Sequence, residues 1–139
     1  MSAHPDPQTL IAAAREARRL AYAPYSQFLV GAALLTLDGR LFVGCNVENA
    51  AYGLCNCAER TAFFSAIAAG CRPGEFTHLA VVGDTDQAIA PCGACRQVMM
   101  ELGGPDLVVV LANLRDCVEI TTAGKLLPGA FVLPKVTRP

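Results

Sequence analysis

Two short segments of this chain could do metal chemistry: Cys57-Ala58-Glu59-Arg60 and Pro91-Cys92-Gly93-Ala94-Cys95-Arg96. In each, the cysteines fall where a loop gives way to a helix-forming run. Backbone N–H groups at a helix start are unpaired and carry partial positive charge. A thiolate placed there is stabilised. Two such starts facing one another would gather Cys57, Cys92 and Cys95 around Zn²⁺. Three thiolates and one Zn²⁺ carry a formal charge of −1, which the helix ends and a nearby arginine would offset. Three protein ligands leave a fourth position open for water, as in catalytic rather than structural zinc sites. Zinc lowers the pKa of such a water from 15.7 to about 7. Glu59, two residues beyond a ligand, is close enough to act as general acid and base, taking a proton and returning it elsewhere. Cys92 and Cys95 alone also fit a redox pair at a helix start, or half of a four-cysteine structural zinc site. Cys57-Ala58-Glu59 upstream and Pro91 before Cys92 weigh toward catalysis.

The elements that must position these residues follow from apolar periodicity. Leu10, Ile11, Ala14, Ala17 and Leu20 mark a helix from Gln8 to Ala23, ended by Pro24. Phe28 to Leu37 reads as a strand, Asp38-Gly39 as a hairpin turn and Arg40 to Asn46 as the returning strand. A loop through Asn49 and Gly53 leads to a helix from Ala58 to Ala69. A strand over Thr77 to Val82, a helix over Gly93 to Leu102 and a strand over Leu107 to Ala112 come next. A short strand over Asp116 to Thr121 and a turn at Ala123-Gly124 follow. Strands alternating with helices predict an α/β fold of three layers, α/β/α, around a mixed sheet of roughly five strands.

The 139 residues fit one domain, 1–139, with a flexible N-terminal tail over 1–7. With 11 Lys+Arg against 12 Asp+Glu, the net charge of −1 argues against a basic nucleic-acid-binding surface. The 53% hydrophobic content excludes a disordered chain and suits either a dense core or surface hidden by a partner subunit. No apolar run approaches the ~20 residues of a membrane span, and the N-terminus lacks a signal-peptide pattern, so the expected location is the cytoplasm. Seven cysteines, an odd number, suit metal binding in a reducing compartment better than a disulfide scaffold.

The paired motifs match the pattern of zinc-dependent nucleobase deaminases in its three-cysteine form. Other blocks extend the match. Ala23-Pro24-Tyr25-Ser26-Gln27-Phe28-Leu29-Val30-Gly31-Ala32-Ala33-Leu34, Asn46-Val47-Glu48-Asn49-Ala50-Ala51-Tyr52-Gly53-Leu54 and Leu126-Leu127-Pro128-Gly129-Ala130-Phe131 stand in the same order. With them the chain resembles the small homotetrameric cytidine deaminases from about residue 23 to 131. The resemblance implies one Zn²⁺ per chain on Cys57, Cys92 and Cys95, with Glu59 as the catalytic acid and base. It implies attack at C4 of cytosine, turning cytidine and 2′-deoxycytidine into the uridines with release of ammonia, in pyrimidine salvage. Phe28 and Ala58 would contact the base, and Phe131 would reach it from a neighbouring subunit. Asn46 and Glu48 would hold the ribose hydroxyls, since an amide can donate where a carboxylate accepts. Arg60 would hydrogen-bond the ligand thiolates, with Arg96 or Gln97 assisting.

Plainer readings stand beside these. Phe28 and Phe131 suit ordinary packing, Asn46 and Glu48 suit a turn at a strand end, and Arg60 suits a solvated helix face. Cys55 departs from the family, which commonly has threonine there. It reads as a small half-buried side chain in the threonine's place. Cys45, Cys71 and Cys117 read as ordinary cysteines, and His4 and His78 as irrelevant to the metal. A nucleotide substrate would call for an Arg/Lys cluster near Asn46 and Glu48, which the sequence lacks. The rivals are deamination of another cytosine-bearing small molecule, such as an aminonucleoside antibiotic, and a non-catalytic zinc or redox module.

Overall fold

The computed structural model describes residues 5–134. Helix α1 (Pro7–Arg18) starts with Pro7, whose missing N–H costs nothing there, and the Asp6 carboxylate accepts from Gln8 N at 3.0 Å. Of the expected tail over 1–7, Asp6 and Pro7 thus belong to the helix start, while residues 1–4, His4 among them, lie outside the described residues. The helix ends five residues before the predicted Ala23. Leu20 matches the apolar periodicity but is 77% exposed. Pairing wins over continuation: Tyr22 N donates to Asn46 O and accepts at its own carbonyl from Glu48 N, which pulls the chain out of the helix.

Strand β1 (Val30–Thr36) and β2 (Leu41–Cys45) form the expected hairpin, shorter at both ends than predicted. Helix α2 (Ala58–Ala68), β3 (Phe76–Gly83), α3 (Gly93–Val98), β4 (Val108–Ala112) and β5 (Val118–Thr122) follow. The helix predicted through Leu102 is α-helical only to Val98. One wider π turn over Met99–Gly103 completes it. The turn expected at Ala123-Gly124 is instead the start of a short helix, α4 (Ala123–Leu126), capped by Thr122.

The five strands lie in the order β2-β1-β3-β4-β5. Only β3 and β4 are parallel, joined by the crossover through α3. Side chains alternate between the two faces. Ala32, Leu34, Leu79, Val81, Val109 and Leu111 pack under α2 and α3. Ala33, Ala80, Val82, Val110 and Ala112 pack against Leu10, Ile11 and Ala14 of α1. This is the predicted three-layer α/β/α arrangement with a mixed five-stranded sheet.

Two glycines set how closely the helices approach. A Cβ on Gly31 would stand 1.9 Å from Ala14 O of α1, and one on Gly44 would stand 2.4 Å from Ala58 O of α2. Gly44 therefore lets the first turn of α2 lie directly on β2. The pairing Gly31↔Cys45 and Val30↔Gly83 brings the start of β1 and the ends of β2 and β3 to one edge of the sheet. Helices α2 and α3 both begin beyond that edge.

Candidate metal centre and active site

Cys57 is the N-cap of α2 and Cys92 the N-cap of α3. Thirty-five residues apart in the chain, their sulfurs stand 3.7 Å from each other. Cys95, one turn into α3, completes a group whose three Sγ atoms all lie within 4.8 Å. Two sulfurs each about 2.3 Å from one tetrahedral ion stand about 3.8 Å apart, so the spacing fits zinc. Three thiols this close also need protons or a cation between them, and the donor set is that of a zinc site with one position open. No fourth cysteine joins them among the described residues. That leaves a four-cysteine structural site without its last ligand.

The surroundings favour a negative sulfur at Cys57, while the hydrogen bond with Cys57 pushes the Cys95 thiol up. Cys95 N donates to Cys92 Sγ at 3.4 Å, and Arg60 Nη2 donates to Cys57 Sγ at 3.1 Å. A hydrogen bond from the Cys95 side chain, aided by Arg60, holds the Cys57 thiol down to about 5. Contact with Cys57 raises the Arg60 pKa in return. Arg60 Nε is buried with no partner among the described residues, which is the desolvation expected of a guanidinium drawn onto the sulfurs rather than into solvent.

Glu59 follows in the first turn of α2, and only 4% of it is exposed. Burial pushes its carboxyl above the usual range. It lines a cleft of about 230 Å³ together with Cys57, Ala58 and Cys92 on one side and Phe28, Asn46 and Glu48 on the other. Seven of the residues predicted from the sequence thus meet in one cavity. A larger depression of about 830 Å³ lies at the opposite end of the sheet, beside Asp38 and Gly39, and holds none of them.

The loop 47–56 sets the far wall relative to the metal ligands. Val47 and Asn56 exchange both backbone hydrogen bonds at 2.9 Å, so the closed loop begins with Glu48 just inside it and Cys57 follows just outside. Asn46 Oδ1 accepts from Val30 N and its Nδ2 donates to Phe28 O, both at 2.8 Å. Glu48 accepts from Tyr25 N at 2.9 Å, from Ser26 N at 3.1 Å and from the Ser26 hydroxyl. The Ser26 contacts hold its carboxyl below the usual range. Phe28 is not in a strand, as its apolar run suggested. It follows Gln27, a left-handed residue, before β1 begins, and is 39% exposed in the cleft.

The remaining site residues are placed as follows. Neither Arg96 nor Gln97 touches a thiolate: Arg96 donates to Pro91 O and Leu126 O at 2.9 Å each, and Gln97 to Phe131 O at 3.0 Å. Both tie the segment after β5 to α3. Phe131 does not line its own chain's cleft and is 67% exposed. Ser26, Val30, Ile89 and Ala90 line the cleft without having been singled out. Ile89 and Ala90 carry no chemical signal, but Ser26 sits two residues before Phe28 in a motif block and could have been noticed. Cys55 is half-buried and accepts from Asn49 N at 3.3 Å, as a threonine hydroxyl would. His78 lies in β3, away from the cleft, as expected.

Comparison with known proteins settles the lineage. The family described as the cytidine and deoxycytidylate deaminase zinc-binding region matches residues 5–111. The chain belongs to that family. It is 55% identical over 126 residues to a cytidine deaminase of Sporosarcina psychrophila, covering 91% of each chain. Among solved structures it is similar to the cytidine deaminase from Burkholderia pseudomallei, with 68% identity and a TM-score of 0.89, covering 89% of this chain and 98% of the other. The cytidine deaminase from Mycobacterium tuberculosis is 40% identical with a TM-score of 0.79, over 94% and 100%. Membership in this deaminase family makes the chain a zinc-dependent hydrolase and gives the three sulfurs their metal.

Proposed function

We propose that the protein hydrolyses cytidine and 2′-deoxycytidine to uridine and 2′-deoxyuridine, releasing ammonia. The observation that carries this reading is the buried Glu59 carboxyl in the same small cleft as Cys57 and Cys92. Zinc held by Cys57, Cys92 and Cys95 would supply the Lewis acid that makes water a nucleophile near neutral pH. Glu59 would take one proton from the attacking water and hand it to N3 of the ring as the oxygen bonds to C4. It would then take the proton of the hydroxyl so formed and deliver it to the amine, so that the C4–N bond breaks, a carbonyl is left at C4 and ammonia departs. Ala58, at the start of α2, offers an N–H with no intrahelical partner to the base carbonyl. Phe28 covers the base, and Asn46 and Glu48 keep spare hydrogen-bonding capacity for sugar hydroxyls.

The cleft is lined by two carboxylates and no cation, which supports a neutral nucleoside rather than a nucleotide. The same wall separates nucleoside turnover from that of a cytosine-bearing molecule without a sugar. We further propose that residues 1–139 act as one domain of a cytoplasmic salvage enzyme and that four copies associate, Phe131 closing a neighbour's cleft. Its exposure on its own chain supports this. None of the helices described is long and apolar enough to cross a membrane.

The test is a steady-state assay on cytidine, deoxycytidine, cytosine and CMP with zinc content measured alongside. Turnover of the two nucleosides is expected, and zinc-loaded protein that leaves cytidine unchanged refutes the reading. Glu59→Gln should keep zinc and lose turnover by at least ~10²–10⁴-fold, since this group handles more than one proton.

A further inference from the structure

Glu48 is more tightly committed than a residue that merely ends a strand. A carboxylate offers about four lone-pair sites. Tyr25 N and Ser26 N fill the Oε1 side, and the Ser26 hydroxyl takes one position on Oε2. One acceptor position remains. The Ser26 hydroxyl is itself directed. Its oxygen accepts from Phe28 N at 3.0 Å, which leaves its single proton for Glu48. Gln27 makes this possible by adopting φ +58°, a left-handed turn that brings Phe28 N back over Ser26 Oγ. Asn46 then clamps the same segment from the other side, at Phe28 O and Val30 N.

We propose that Ser26 is a positioning residue: its hydroxyl holds Glu48 so that the remaining oxygen position meets one sugar hydroxyl, and it locks the turn that presents Phe28 to the base. This rests on the reading of the cleft as a nucleoside site. Ser26 and Glu48 also line a second cavity of about 320 Å³, walled by Tyr25, Tyr52 and Cys55. Glu48 thus faces open space on two sides, and a carboxylate free to swing would leave the sugar. Ser26 lies on the exposed side of the chain, so removing its hydroxyl takes nothing from the core. The two backbone donors to Oε1 would remain.

The experiment compares kcat/KM for cytidine and for 2′,3′-dideoxycytidine, whose sugar lacks both ring hydroxyls, in wild type and in Ser26→Ala. The wild-type preference for cytidine should fall about tenfold in Ser26→Ala, through KM more than kcat, as expected for losing aim at a charge-assisted hydrogen bond. Ser26→Thr, which keeps the hydroxyl, should restore the preference. Ser26→Cys, a weaker donor, should fall between. Thermal midpoints measured on the same samples identify any variant that fails to fold, and the Cys variant carries the test if Ala does. An unchanged preference in Ser26→Ala, or an equal loss on both substrates, overturns the assignment. Wild type that turns over neither nucleoside overturns the reading beneath it instead.

Discussion

The two ends of the cleft are built in different ways. At the metal end, Cys57, Ala58, Glu59 and Cys95 sit at helix starts packed on the sheet, and Ala58, Glu59 and Cys95 are buried. At the sugar end, Tyr25, Ser26, Phe28 and Glu48 stand on exposed loops. They are held by backbone hydrogen bonds rather than by packing. The bordering Tyr52 and Leu54 are exposed apolar side chains. The contrast implies a division of labour. On the reading proposed above, the metal ligands and the acid–base group come from one chain, whereas the recognition wall would be completed by another surface. Rigid elements hold a reacting geometry better than loops do, because packing removes the freedom of the side chains.

This division predicts effects of graded size. The largest lies at the metal end. Cys95→Ala should drop zinc from one ion per chain to near none and abolish turnover, read by metal analysis and activity on one sample. Full activity with zinc retained would mean that the three sulfurs are not one site. An intermediate effect belongs to the open end. Phe131→Ala should raise KM for cytidine about five- to tenfold by removing an aromatic contact to the base, with kcat less affected. Sedimentation of the wild type should give an assembly larger than a monomer. An active monomer would show that one chain builds both ends.

The smallest effect is a pH dependence of Glu48. Its carboxyl is held below the usual range by Ser26, so the ionised acceptor is already in place above about pH 4.3. Its contribution to sugar binding should be lost only as pH falls through the lowered value. KM for cytidine, followed downward from neutrality, should therefore stay flat through the ordinary glutamate range and rise only below it. A rise that begins at the same pH in wild type and in Ser26→Ala would show that Ser26 does not hold the charge.

Much of the metal end was readable from residue order because its signals are local. A cysteine before a helix-forming run, a glutamate two residues on and a Cys-x-x-Cys after proline each lie within one turn. The sheet was readable for the same reason, since each strand is a short apolar run. Elsewhere local signals misled. Leu20 has the right period for α1 yet is exposed, because Tyr22 pairs with the strand end at Asn46 and Glu48. Arg96 stands beside a ligand in sequence, but its partners are the carbonyls of Pro91 and Leu126, the latter 30 residues away. Arg60, in the same relation to Cys57, does reach the sulfur. Nothing in the neighbouring residues distinguishes the two arginines.

Residue types and spacing therefore specified the three-cysteine cluster, the glutamate proposed as its acid–base partner and the layer order, because each depends on contacts within a turn of helix or along one strand. Tertiary structure alone brought Cys57 within 3.7 Å of Cys92, chose which arginine faces the thiolates and fastened Glu48 to Ser26 across 22 residues of chain. Those outcomes depend on how the hairpin, α2 and α3 pack at one edge of the sheet. Packing is a property of all the elements together, so no single stretch of sequence encodes it.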